Sequence, residues 1–162
     1  MQPAIVLFWF RRDLRLADNA ALYRALRHGL PVQPIFIFDR HILDELKDKS
    51  DRRVEFIHQQ ITVIDRQLQQ LGAALDVRYG TPEEIWPQLL AAYNVKAVYT
   101  NHDYEPYAAK RDATVAALLA QKGIDFFSFK DQVIFEKNEV TKDDGKPYTV
   151  FTPYSRRWKA TV

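Results

Sequence analysis

Three arginines crowd one short stretch, Arg11-Arg12-Asp13-Leu14-Arg15, directly after an apolar run. A guanidinium fork suits either a phosphate or a carboxylate, so two readings stand: pairing with acids of the same chain to fix a sharp loop, or capture of an external phosphate. The acids Asp103 and Glu105, and the pair Asp143-Asp144, have the chemistry for proton transfer or metal binding, although carboxylates in loops more commonly cap helices or face water. The four histidines (His28, His41, His58, His102) form no H-E-x-x-H, and no serine sits in a G-x-S-x-G elbow. Hydrolase chemistry therefore has no support. The absence of cysteine removes disulfides, thiolate nucleophiles and cysteine-based metal sites together. The five glycines build neither G-x-G-x-x-G nor G-x-x-x-x-G-K, so the backbone lacks a standard cradle for a pyrophosphate. No catalytic residue and no metal-ligand set is expected, and any difficult chemical step is expected to belong to a cofactor held elsewhere.

Those residues must be positioned by a scaffold of limited size. A chain of 162 residues has room for one domain with a complete core. Lysine and arginine exceed aspartate and glutamate by 23 − 21 = 2, so no general polyanion-binding surface is written into the composition. The apolar run Ala4 to Phe10 is far shorter than the roughly 20 residues of a membrane helix, and no basic leader precedes it. No membrane partner is expected, and a reducing cytoplasm is the expected location.

The run AIVLFWF from Ala4 to Phe10 has the apolar, β-branched and aromatic make-up of a strand buried on both faces of a parallel sheet. Asp18-Asn19 then offers a cap to a helix reaching about His28, with Gly29 beyond it. A second strand is expected over Val32 to Phe38. Ser50 or Asp51 opens a long helix closed by Gly72, in which Val54, Ile57, Ile61, Ile64, Leu68 and Leu71 make one apolar stripe. A third strand over Ala74 to Tyr79 precedes the capping box Thr81-Pro82-Glu83-Glu84 and a helix to about Tyr93. A fourth strand over Val95 to Thr100, a helix from Pro106 to just before Gly123, and a fifth strand over Ile124 to Phe129 complete the alternation. That alternation predicts an α/β fold, a Rossmann-like doubly wound five-stranded parallel sheet with helices on both faces. Residues 1–130 are expected to form this domain. Residues 131–162 are expected to be a connecting segment, with a turn at Lys142 to Pro147 and a new helix capped by Thr152 before Pro153. The chain stops ten residues after that start, which points to a larger protein with a carboxyl-terminal domain.

The segment Phe8-Trp9-Phe10-Arg11-Arg12-Asp13-Leu14-Arg15-Leu16-Ala17-Asp18-Asn19-Ala20-Ala21-Leu22 resembles the opening motif of DNA photolyases and cryptochromes. Two further segments resemble the family in the expected order, Asn101 to Tyr107 with Lys110-Arg111-Asp112, and Tyr148 to Tyr154 with Arg157-Trp158-Lys159. The resemblance implies flavin adenine dinucleotide (FAD) in a carboxyl-terminal helical domain, where photolyases use blue light to split a pyrimidine dimer flipped out of damaged DNA. It also implies that the amino-terminal α/β domain serves as scaffold and often carries an antenna chromophore, a folate, a deazaflavin or another flavin. An Asn-Glu pair grips the pterin in folate-binding members, and the matching positions here are Tyr107 and Ala108, which points to a deazaflavin or flavin rather than folate. Asp103 is similar to the aspartate of deazaflavin-type members, and Phe36, Phe38, Asp39 and Glu105 complete the expected antenna-binding set. A pocket filled by side chains, with Asp103 and Glu105 merely capping the helix at Pro106, is the alternative. The resemblance favours the repair enzyme over a cryptochrome signalling receptor, and either over an unrelated nucleotide-binding Rossmann domain. This stretch alone is not expected to repair DNA.

Overall fold

The computed structural model describes residues 2–48 and 50–162. They divide into two compact units, Met1–Asp131 and Gln132–Val162.

The first unit is built on β1 (Ala4–Phe10), β2 (Val32–Asp39), β3 (Asp76–Gly80), β4 (Asn94–Asn101) and β5 (Asp125–Phe129). All neighbours pair in parallel, in the order β3-β2-β1-β4-β5, which makes the predicted five-stranded sheet. The period-2 alternation of β1 explains why its whole sequence is apolar. Val6, Phe8 and Phe10 face one way, against α1 (Ala20–Leu26) and α3 (Arg52–Gln70). Ile5, Leu7 and Trp9 face the other, against α4 (Pro82–Ala92) and α5 (Pro106–Ala120). Burying each of these large side chains contributes roughly 1.5–3 kcal/mol, so the central strand anchors both layers. Trp9 meets Trp86 edge to face at 5.2 Å. Among the described residues the buried Trp86 Nε1 finds no acceptor.

Several boundaries differ from expectation, each for a local reason. β3 starts at Asp76, not Ala74, because its ladder opens opposite Ile35, one residue past Pro34, which has no N–H to give. Side chains serve the residues left out: Gln33 Nε2 donates to Ala74 O (3.0 Å) and Leu75 N donates to Asp65 Oδ1 (2.9 Å). On α3 the stripe buries Ile61, Ile64 and Leu68, while Leu71 is the carboxyl cap and 77% exposed. α1 ends at Leu26, earlier than His28, although Asn19 caps it as expected, Oδ1 accepting from Leu22 N at 3.1 Å. α4 carries both halves of the Thr81/Glu84 capping box. Gly80, read from sequence only as a strand end, allows a close approach: a Cβ there would lie 2.9 Å from Ile85 Cδ1. A short helix α2 (Arg40–Leu43) was not anticipated.

In the second unit, α6 (Phe151–Thr161) begins after Val150, and no side-chain cap is made, so Thr152 lies inside the first turn. Lys142 N donates to Lys146 O (2.9 Å) around the expected turn. Phe135 packs edge-on to Trp158 at 5.7 Å. Among the described residues no helix is long and apolar enough to cross a membrane.

Candidate functional site

Strand order reverses between β1 and β4, so the carboxyl ends of β1, β2 and β4 are where an open parallel sheet offers a crevice. Two polar clusters form there.

The first is closed. Asp13, 4% exposed, accepts from Arg11 N (2.8 Å), Asn19 Nδ2 (3.1 Å) and Asn101 Nδ2 (2.6 Å). Asn101 Nδ2 also donates to Asn19 Oδ1 (2.9 Å), and Asn101 Oδ1 accepts from Ala21 N (2.9 Å). The loop after β1, the amino end of α1 and the end of β4 are thus tied by one buried network whose capacity is spent internally. The three arginines are paired within the chain, the first of the two readings offered by the sequence. Arg11 bonds Asp112 and the Asn101 carbonyl, Arg12 bonds Glu105 (2.7 Å), and Arg15 bonds Asp131 (2.8 Å). Burial pulls the Arg11 guanidinium below its ordinary pKa, with Asp112 opposing that shift, whereas the bond to Glu105 raises Arg12. Asp18 adopts φ 51 and supplies its carbonyl to Arg15 at 2.6 Å rather than a side-chain cap.

The second cluster is open. β2 runs past Phe36, its last residue paired with β1, so Ile37, Phe38 and Asp39 project beyond the end of the central strand. A cavity of about 870 Å³ forms over that step. Phe36, Phe38, Asp39, Asp103 and Glu105, spread over 70 residues of sequence, all lie in its wall. The two phenylalanine rings meet edge to face at 4.9 Å. The Asp103 side chain is 9% exposed, yet among the described residues it receives only a long bond from Glu105 N (3.4 Å) and an ion pair with Arg12 at 3.7 Å. Glu105 is the amino cap of α5 by backbone position but makes no side-chain cap bond, while Asp103 Oδ1 accepts from the Glu105 N–H at the helix start.

Among the wall residues that sequence reasoning did not assign, three share one helix face. Tyr107, Arg111 and Thr114 follow one another at helical spacing along α5 and all face the cavity. Tyr107 OH donates to Asp39. Burial first, and then that bond, push the Tyr107 phenol well above the ordinary tyrosine range. Arg111, with its side chain 7% exposed, reaches Asp112 at 3.3 Å and Asp39 only at 3.9 Å, and lies 4.9 Å over the Trp9 ring, which Arg11 also approaches at 5.1 Å. The i, i+4, i+7 spacing was the available signal for this face. Ala108, 3% exposed, provides a small side chain beside it.

The cavity therefore presents an aromatic wall, a buried carboxylate with unused acceptor capacity, and a buried guanidinium with unused donor capacity. A flat heterocycle with N–H and C=O groups on one edge matches that set. Among the described residues no group of three His, Cys, Asp or Glu side chains could hold a metal ion.

Comparison with known proteins places this architecture. A deoxyribodipyrimidine photo-lyase of Synechococcus sp. is 35% identical over 97% of the chain and 32% of its own length. The crystal structure of a bacterial class III photolyase from Agrobacterium tumefaciens superposes with a TM-score of 0.84 at 29% identity, over 99% of this chain and 32% of that one. An archaeal photolyase from Sulfolobus tokodaii, solved with two FAD molecules and described as implying a novel light-harvesting cofactor, gives 0.74 at 32% identity over 82% and 32%. Cryptochromes are also among the matches. The chain spans between about a quarter and just over half of the length of the curated relatives it matches. Residues 6–162 match the family described as DNA photolyase, and the chain belongs to that family.

Proposed function

We propose that this chain is the amino-terminal α/β domain of a light-dependent deoxyribodipyrimidine photo-lyase, and that its cavity is the chamber for an antenna chromophore. In this reading residues 131–162 connect to a helical domain on the carboxyl-terminal side, which holds FAD and the damaged DNA, in a cytoplasmic protein. The observation that carries the antenna assignment is the pairing, in one cavity, of an aromatic wall with the underused Asp103 carboxylate and Arg111 guanidinium.

The fit to a deazaflavin or flavin is chemical. Asp103 would serve as acceptor for a ring N–H, Arg111 as donor to a ring carbonyl, and Phe36 and Phe38 as apolar contact for the ring. Tyr107 occupies one of the positions where folate-binding relatives grip a pterin, and its hydroxyl is committed to Asp39, which disfavours a folate. An antenna, when bound, absorbs light and passes the excitation to the catalytic flavin. The residues of this domain bind it, orient it and exclude water from its polar edge.

The test is a visible absorption spectrum of the intact protein together with repair of irradiated DNA under blue light. A band in addition to that of FAD, lost in Asp103→Ala while repair under direct flavin excitation persists, is the expected result. Repair without any second chromophore would remove the antenna assignment, and absence of repair with bound FAD would remove the photolyase assignment.

A further inference from the structure

α2 is an unusual wall for a binding chamber because none of its residues is buried. His41, Ile42 and Leu43 line the cavity, yet the attachments holding the helix in place are polar. At its amino end Asp39, 7% exposed, accepts from His41 N at 3.0 Å and from the Tyr107 hydroxyl of α5. At the cavity wall His41 Nε2 meets Glu83 Oε2 of α4 at 3.2 Å, and the His41 ring stands edge-on to Tyr107 at 6.1 Å. Ile42 remains 47% exposed, so little apolar burial opposes displacement of the helix. Elements held by few apolar contacts and exposed polar ties open at low free-energy cost.

We propose that α2 is the movable wall through which the chamber is entered, with Tyr107 as the positioning residue that latches it through Asp39 and the His41–Glu83 contact as a second tie. The idea that something enters rests on the chamber reading above; the latch itself does not. With both ties made, α2 stands as one wall of the chamber that Phe38, Asp103 and Arg111 also line. With the Tyr107 bond broken, Asp39 loses a donor, the cap of α2 weakens, and the helix swings away from α5 without disturbing the sheet.

Amide hydrogen exchange of this chain tests the latch without any ligand. Tyr107→Phe, which keeps the ring, should speed exchange roughly tenfold, the scale of one lost charge-assisted hydrogen bond, and Glu83→Ala, which breaks an exposed pair, roughly twofold to threefold, at His41, Asp44 and Leu46, while Val6 to Trp9 exchange at the wild-type rate. Equal acceleration in β1 would mean global destabilisation, and no acceleration at α2 would mean no latch; either overturns the proposal. Stopped-flow binding of flavin mononucleotide then tests access. Association and dissociation should both quicken in the two variants, with the dissociation constant changed less. If flavin mononucleotide binds and both rates stay at wild-type values, α2 is not the entrance and the proposal is wrong. If the amides respond as expected but flavin mononucleotide never binds wild type, the latch is supported and the antenna reading fails.

Discussion

The knot around Asp13 and the cavity around Asp103 stand at the carboxyl ends of neighbouring strands and use the same kinds of side chain, but they spend them differently. Asp13 receives three bonds of 3.1 Å or less from groups on separate elements, whereas Asp103 receives one of 3.4 Å and a distant charge. Asp13 is buried, and the Asp103 side chain, on a half-buried residue, is itself only 9% exposed. A buried polar group with its partners in place fixes a fold; one with spare capacity facing a cavity is poised to bind. Burial alone therefore does not separate structure from function at this edge of the sheet, while satisfaction of hydrogen bonds does.

Mutation should widen that contrast. Asp13→Ala removes the acceptor shared by Arg11 N, Asn19 Nδ2 and Asn101 Nδ2, leaving Asn19 Nδ2 the Arg15 carbonyl and Asn101 Nδ2 only Asn19 Oδ1, and should cost about 3 kcal/mol in urea unfolding, while Asp103→Ala should cost less than about 1 kcal/mol. Equal costs would erase the distinction. Flavin mononucleotide affinity should reverse the order: Asp103→Ala lowers it about tenfold, as expected for one bond to a charged acceptor, and any variant of the knot acts only through stability. Two helix caps sharpen the point. Asn19→Ala removes a cap that is also a member of the knot and should cost about 2 kcal/mol, whereas Thr81→Ala removes a cap alone and should cost about 1 kcal/mol by denaturation. The smallest effect concerns acid. Asp51, which caps α3, is held down to a pKa of about 2 chiefly by its bond to Arg53. Its contribution is thus fully present above the ordinary carboxylate pKa and is lost as pH falls through about 2. Carboxyl carbon shifts in an NMR titration should show Asp51 titrating well below the surface aspartates.

How much of this was legible beforehand follows from the range of the interactions. The strands were visible because β1 is apolar on both faces, and the caps at Asn19 and Thr81 were visible because a cap and its helix are adjacent in sequence. The start of β3 was misplaced because it depends on Pro34, in a different strand. The knot was half legible: Asn19 read as a helix cap, but Asn101 lies 88 residues from Asp13 and carries no local mark. Phe36, Phe38, Asp39, Asp103 and Glu105 were named through family resemblance and strand ends, while Tyr107 and Arg111 were passed over because a helix face shows its neighbour only when the sheet is assembled. α2 escaped notice because four residues without an apolar pattern leave no periodicity to read.

The claim that matters most is that the open cluster, and not the knot, receives a planar ring. Amide chemical shifts of the chain during titration with flavin mononucleotide test it directly. Perturbations gathered at Phe36, Phe38, Asp103 and Arg111, with Asn19 and Ala21 unmoved, are predicted. A spectrum unchanged at saturating flavin, or one whose shifts centre on Asn19 and Ala21, would contradict it.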